Sequence, residues 1–296
     1  MTLYLQDAMK RNVSDIYIDQ GTIFFREDVS LIKTQYSIPE FGAIPLFCER
    51  KARNHIRLLP QDLSAQALQY PPEVSSILSK QRGLILCIGA STSGKTTLIL
   101  HLLKHTPSTR ISAYNTHVKS SSPYRVCSQH LWCATDEVPD IEVLTIRSPE
   151  TALHALMNAS NRLIIANIKA KGMQDGLSKL MLFLHSYPKE YILDLLATYI
   201  NCFVSTVLVS SQAKKKLPLI GIAQANESLA AQIRQGNFHI IEEFIQKGNA
   251  GAHSLSVDLQ LATWLQNRQL SLTEATSNAI NPSKMQLRAS GIIHND

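Results

Sequence analysis

The chain has 296 residues, of which 45% are hydrophobic, so it can bury one large hydrophobic core or two smaller ones. The formal net charge of +6 is modest and the basic residues are scattered, so we predict no nucleic-acid partner. No apolar stretch approaches the roughly 20 residues of a membrane-spanning helix, and the amino terminus lacks a hydrophobic signal sequence. We therefore expect a cytoplasmic protein without direct membrane insertion. The five cysteines lack CxxC spacing, which favours a reducing compartment.

The first 70 residues are predicted to form a small α+β domain and a linker. Residues 3–11 have the pattern of a short amphipathic helix. The segment SDIYIDQGTIFFRED alternates apolar and polar residues around a glycine turn, which is typical of a β-hairpin. We place the boundary with the next domain near residues 60–75.

Strands and helices alternate over residues 71–280. The segment PPEVSSILSKQRG is predicted to be a helix that leads into the strand LILCIG. A later helix is expected to begin at Pro149, with Ser148 as its N-cap. Such alternation predicts an α/β fold with a mostly parallel sheet and helices on both faces. Residues 281–296 show no helical period, so we predict a flexible tail.

One loop in this second domain matches the phosphate-binding pattern G-x-x-x-x-G-K-[ST]. Its glycines allow a tight turn and a close approach to phosphates, and the loop N–H groups and the positive end of the next helix face the anion. Lys95 is predicted to reach the β- and γ-phosphates of ATP, and Thr96 to ligate Mg²⁺. The predicted nucleotide-binding residues are Gly89, Ala90, Ser91, Thr92, Ser93, Gly94, Lys95, Thr96 and Thr97.

Four further stretches carry a resemblance to a known family. They are MKRNVSDIYIDQGTIFFREDVSLI, RKARNHIRLLP with PPEVSSILSKQRGLILCIG, DGLSKLMLFLHSYPKEYILDLLATYINCFVSTVLV, and GIAQANESLAAQIRQGNFHIIEEFIQKGNAGAHSLSVDLQLATWLQNRQLSLTEATSNAIN. Together they cover nearly the whole chain in order. They are similar to the PilT/PilU-like retraction ATPases of type IV pili, in the type II/IV secretion ATPase superfamily.

The resemblance implies a RecA-like P-loop motor domain preceded by a PAS-like domain, which is shortened here between Ile32 and Leu46. It also implies a homo- or hetero-hexameric ring with PilT-like motor subunits. Such a ring lies in the cytoplasm, peripheral to the inner membrane at the pilus base, where it meets the pilus platform protein. Arg50 and Arg57 match family positions that reach toward the neighbouring subunit's nucleotide, so both are candidate arginine fingers in trans.

Three family motifs are altered. Thr145 occupies the position of the catalytic Walker B glutamate, Lys169 that of the histidine of the His box, and Tyr114 and Asn115 those of the acidic Asp box. A threonine hydroxyl has no useful basicity at neutral pH, so these changes predict weak hydrolysis. Four nearby carboxylates could compensate: Asp136, Glu137, Asp140 and Glu142. Of these, Asp140 and Glu142 lie on the predicted strand and could enter the site if its register differs.

Three functions therefore stay open at this stage. The favoured one is a degenerate ring subunit, which binds ATP, hydrolyses it poorly and works with a competent motor. The alternative is an active ATP-hydrolysing retraction or secretion motor. A third hypothesis, an unrelated P-loop enzyme such as a small-molecule kinase, would need an acceptor site and an arginine-rich lid, and the sequence shows neither.

Overall fold

The computed structural model describes residues 3–11, 13, 15–19, 22–27, 30–37, 48–52, 55–58, 65–68, 70–78, 80–104, 106, 111–114, 140–210, 216–247 and 250–289. The strands are β1 (Asp15–Asp19), β2 (Thr22–Glu27), β3 (Ser30–Ser37), β4 (Cys48–Ala52), β5 (His55–Leu58), β6 (Gly83–Gly89), β7 (Ile111–Tyr114), β8 (Ile141–Thr145), β9 (Leu163–Lys169), β10 (Ile200–Ser210) and β11 (Lys216–Gln224). The α-helices are α1 (Leu3–Lys10), α2 (Ala65–Leu68), α3 (Lys95–Lys104), α4 (Pro149–Asn158), α5 (Met173–Phe183), α6 (Lys189–Tyr199), α7 (Glu227–Arg234), α8 (Ile241–Gln246), α9 (Val257–Gln266), α10 (Leu272–Asn278) and α11 (Pro282–Ala289).

The amino-terminal part forms an antiparallel sheet with the strand order β3-β2-β1-β5-β4. The predicted hairpin is confirmed, because β1 and β2 pair antiparallel with Asp19 opposite Thr22. The predicted helix α1 is also confirmed, and it buries Leu5 and Ala8 against Ile16 and Phe25 of the sheet. This is the small α+β unit that the sequence predicts, while the boundary at residue 70 itself stays a prediction.

The second sheet has the strand order β11-β10-β6-β9-β8-β7. The five strands from β10 to β7 run parallel to one another, and β11 pairs antiparallel with β10 at the edge of the sheet. Every residue of β6 is buried because helices cover both faces of the sheet. The predicted α/β class with a mostly parallel sheet is therefore confirmed.

The two faces of this sheet carry different helices, and side chains alternate between them along each strand. Leu86 and Ile88 of β6 point to the face that packs against α4, α5 and α6. Ile85 and Cys87 point to the opposite face, which packs against α3 and the 3₁₀ helix Pro72–Leu78. This alternation decides which strand residues share a face with the P-loop helix α3.

Helix α4 begins as the sequence predicts. Ser148 is its N-cap and Pro149 its first residue. The Ser148 hydroxyl accepts the backbone N–H of Thr151, and the Thr151 hydroxyl accepts the backbone N–H of Ser148. This reciprocal capping fixes the chain immediately after β8.

The helix predicted before β6 is present as a 3₁₀ helix, Pro72–Leu78. The expectation of a flexible tail is wrong. The supposed flexible tail contains α11, which packs on α9 and α10 and buries Met285 completely. Asp258 explains why this helix is fixed, because its carboxylate accepts the backbone N–H groups of Ile280 and Asn281 just before α11. Residues 290–296 lie outside the described part.

Within the described residues, none of the helices combines the length and the apolar character that crossing a bilayer requires.

Candidate nucleotide-binding site

The P-loop connects the end of β6 to the start of α3, at the edge of the sheet where the parallel strands have their carboxyl ends. Gly94 has φ +94°, a backbone conformation that glycine adopts without steric cost. Thr92 has φ +69°, which is unusual for a β-branched residue and places strain in the loop. The loop N–H groups and the amino-terminal end of α3 together form the kind of surface that binds phosphate.

The loop is held to the neighbouring strand β10 by a pair of hydroxyl groups. Ser93 Oγ and Thr206 Oγ1 lie 2.8 Å apart, and both residues are buried. A Cβ on Gly89 would collide with Ser93 Oγ and lie 2.7 Å from the carbonyl oxygen of Thr206. Gly89 is therefore required for close approach rather than for an unusual φ. Thr206 is a supporting residue that the sequence pattern did not reveal, because it is 113 residues away from Ser93.

Lys95 folds back over the loop. Its ammonium donates to the carbonyl oxygens of Gly89 at 2.7 Å and Ala90 at 2.6 Å. Burial raises the pKa of the Cys87 thiol to about 12, and the positive charge of Lys95 opposes this rise, so the ammonium lies within electrostatic reach of β6.

Thr96 and Thr97, in the first turn of α3, are half-buried. Ala90, Ser91 and Thr92 are exposed.

The ends of the next strands carry no acidic side chain. Strand β8 ends at Thr145, which pairs with Asn167, and β9 ends at Lys169, which pairs with Gly89 of the P-loop. The Asn167 amide donates to Thr145 Oγ1 at 2.8 Å and to the Leu144 carbonyl at 3.2 Å. Thr145 thus stands where the family resemblance predicts a glutamate, and its hydroxyl is bonded to the Asn167 amide. Asn167 was missed in the sequence because one polar residue in an apolar strand has no characteristic spacing.

Glu142 does not reach the P-loop, so the hypothesis that it compensates for the missing glutamate is wrong. It is level with Ile164, which pairs with Leu84 near the start of β6. Leu84 precedes Gly89 by five residues, or roughly 16 Å of strand. Asp140 precedes β8 at this same distant end, and its carbonyl accepts the N–H of Leu163.

Glu142 instead belongs to a buried ion-pair cluster. One carboxylate oxygen is hydrogen-bonded to His154 Nε2 at 2.7 Å, and the other lies 3.4 Å from Nη1 of Arg162. The side chain of Glu142 is 7% exposed and that of Arg162 18%. The cluster fastens α4 and the loop after it to the start of β8, so its role is structural.

Replacing Arg162 with alanine is expected to destabilise the protein by about 2–3 kcal/mol. Removing one partner of a buried pair leaves an uncompensated charge, which usually costs roughly 3–5 kcal/mol, and His154 retains part of the compensation here. Urea unfolding measures the loss. The double variant Arg162→Ala with Glu142→Gln should recover part of it, and equal stability of the single variant and the wild type would contradict the assignment.

A cavity of about 770 Å³ lies beside the P-loop. It is bounded by loop residues 90–93, the start of α5, the end of β10 and the turn before α11. Asp175 is the one carboxylate among its described lining residues. The Lys171 backbone N–H donates to this carboxylate at 2.9 Å and, with the Lys179 ammonium at 3.3 Å, holds the pKa of Asp175 below its usual value.

The remaining predicted site residues lie away from these contacts or outside the described part. Arg50 is on β4 opposite Ile56, and Arg57 is on β5 opposite Glu49. Their strand positions are described, but their side chains are not, so the arginine-finger role stays a prediction. Tyr114 ends β7 beside Leu144 of β8. Asn115, Asp136 and Glu137 lie outside the described residues.

No protein-family model and no curated protein matches the chain. The solved structures that are similar to it over almost their whole length include PilT and two DotB proteins. A crystal structure of the pilus retraction motor PilT with bound ADP has a TM-score of 0.73 and 16% identity, over 96% of this chain and 98% of that one. The ATPase DotB of Legionella pneumophila has a TM-score of 0.66 and 14% identity, over 92% and 93% of the two chains. DotB of Yersinia pseudotuberculosis has a TM-score of 0.68 and 10% identity, over 94% and 92%. The chain therefore shares the fold of these solved structures.

Proposed function

We propose that this chain is an ATP-binding subunit of a PilT-like motor, with weak or no hydrolysis of its own. One observation carries the proposal. The P-loop is complete and is braced by Thr206, whereas the adjacent strands end in Thr145 and Lys169. The P-loop groups that bind phosphate are present, whereas a threonine stands at the position where the resemblance expects the glutamate that takes a proton from the attacking water.

The residues at the loop fit a magnesium–nucleotide complex. Thr96, in the first turn of α3, offers a hydroxyl oxygen, which is a ligand type that Mg²⁺ accepts. Lys95 would exchange its bonds to the Gly89 and Ala90 carbonyls for phosphate oxygens. Bound Mg²⁺ supplies charge neutralisation at the phosphates. The ligands of this Mg²⁺ would be weakly oriented, because the described ends of β8 and β9 bring no carboxylate to the site.

The proposed assembly is a homo- or hetero-hexameric ring containing competent PilT-like subunits. The fold similarity extends over both the amino-terminal sheet and the P-loop domain, which supports use of the whole chain in such a ring. In it, Arg50 and Arg57 would face a neighbouring nucleotide. The ring would work in the cytoplasm, peripheral to the inner membrane at the pilus platform. A subunit that binds ATP without hydrolysing it can still favour one ring conformation over another.

An active motor is the second candidate, because Asp175 brings a carboxylate into the P-loop cavity. Two facts weaken this alternative. The lowered pKa makes Asp175 a poorer proton acceptor, and its hydrogen bonds to Lys171 and Lys179 already have a structural use at the start of α5. In an active motor, Asp175→Asn would abolish turnover, whereas in the proposed subunit it would leave the low turnover unchanged.

The experiment measures ATP affinity and steady-state turnover of the purified chain, together with sedimentation with and without ATP. We expect ATP binding, turnover well below roughly 1 s⁻¹, and assembly beyond the monomer. Turnover of roughly 1 s⁻¹ or more that Asp175→Asn abolishes would establish the active motor instead. A strict monomer under both conditions would overturn the ring.

A further inference from the structure

The hydrogen bond between Asn167 and Thr145 lies on the same face of the sheet as the P-loop helix. Ile165 of β9 and Val143 of β8 contribute to the core beneath α3, and side chains two residues further along a strand point to the same face. Asn167 and Thr145 follow these residues by two positions. Both are half-buried, at the carboxyl end of the sheet.

The pair lies on the two strands that follow the P-loop strand β6 across the sheet. Asn167 is the neighbour of Cys87 in the parallel register between β6 and β9. Cys87 feels the positive charge of Lys95 and precedes Gly89 by two residues. Passing across the sheet on this face, the order is therefore Cys87, two residues before Gly89 of the P-loop, then Asn167 and then Thr145.

The hydrogen-bonding capacity of the pair is only partly used. The Leu144 carbonyl can only accept, so the side of the Asn167 amide that faces it must be the NH₂ group. That group donates to Leu144 and to Thr145. Within the described residues, Asn167 Oδ1 has no donor bonded to it, and the Thr145 hydroxyl proton has no acceptor. The pair thus presents one acceptor and one donor side by side, which is the arrangement that holds a water molecule.

We propose that Asn167 and Thr145 position the attacking water for the slow hydrolysis of ATP bound at the P-loop. Asn167 Oδ1 accepts a hydrogen bond from the water, and the Thr145 hydroxyl donates a hydrogen bond to the water oxygen. The water oxygen then bonds to the γ-phosphorus, the bond from that phosphorus to the β–γ bridging oxygen breaks, and a water proton passes to a phosphate oxygen. An orienting amide without a base lowers the barrier only modestly, so hydrolysis is slow. This inference rests on the proposed ATP-binding function.

The test compares wild type, Asn167→Ala and Thr145→Val in single-turnover hydrolysis of γ-labelled ATP, with protein in excess. Both variants should keep the wild-type dissociation constant for ATP and lose at least about tenfold in the hydrolysis rate. Asn167→Asp restores an acceptor whose carboxyl group ordinarily titrates near pH 4, so its rate should recover and rise between about pH 3 and 5, whereas the wild-type rate should lack this rise over the same range because an amide does not titrate there. A purely structural role of Asn167 would not produce this new pH dependence.

Asn201→Ala is the matched control. Asn201 is a buried amide in the same sheet, and it donates to the Arg82 carbonyl at the end of the strands opposite to the P-loop. This variant should leave the hydrolysis rate unchanged. The inference is overturned if wild type binds ATP but hydrolyses it no faster than Lys95→Ala, or if Asn167→Ala hydrolyses it at the wild-type rate. Absence of ATP binding by the wild type would instead overturn the proposed function itself.

Discussion

Lys95→Ala is expected to lower the affinity for ATP by at least about 100-fold, or roughly 2.7 kcal/mol, without unfolding the protein. Within the described P-loop and the start of α3, the Lys95 ammonium is the one side-chain cation that contacts the loop. It would compensate the charge of the phosphates, and Lys95 is half-buried, which strengthens this interaction. Removal of the ammonium leaves the Gly89 carbonyl with a hydrogen-bond donor, because this carbonyl also accepts the backbone N–H of Ala170. The fold should therefore tolerate the change.

Isothermal titration calorimetry with Mg²⁺-ATP measures this loss, and thermal unfolding verifies the fold. Lys104→Ala is the matched control, because Lys104 is an exposed lysine at the far end of the same helix. It should retain wild-type affinity. If Lys95→Ala binds ATP as tightly as wild type, the P-loop is not the nucleotide site, and the proposed function fails with it.

Thr145→Glu is expected to raise ATP turnover by about 100-fold or more, because a general base typically contributes roughly 10²–10⁴ to a rate. Position 145 ends the strand next to β9, on the α3 face and two strands away from the P-loop strand β6. Asn167 already directs an N–H group at this position and could donate to the new carboxylate. The site thus offers the acid an orienting partner.

Phosphate release under saturating ATP measures the gain, and Thr145→Gln is the control because it has a similar size without basicity. An equal gain in both variants would show that shape rather than proton transfer matters. If neither variant gains, position 145 is not where the water reacts. The variant Asp175→Asn in the Thr145→Glu background should leave the gain intact, because Asp175 is already bonded to Lys171 and Lys179.

The sequence by itself determined the features that depend on local order. The P-loop could be predicted because its glycines, lysine and threonine lie within eight consecutive residues, Gly89 to Thr96, that follow a strand. The sheet class could be predicted because strands and helices alternate, and the Ser148 cap because its partner Thr151 is three residues away. Helix α11 could not, because the Asp258 carboxylate that anchors its start is 22 and 23 residues away from the N–H groups it accepts.

The tertiary structure alone decided which polar groups share the site. The sequence left Glu142 as a substitute base, and only the parallel register shows that it lies at the far end of the sheet, paired with Arg162. Thr206 braces the P-loop, and Asn167 meets Thr145, across separations of 113 and 22 residues. The physical reason is that strand pairing brings together residues that are remote along the chain, and a single sequence does not specify which residues are paired.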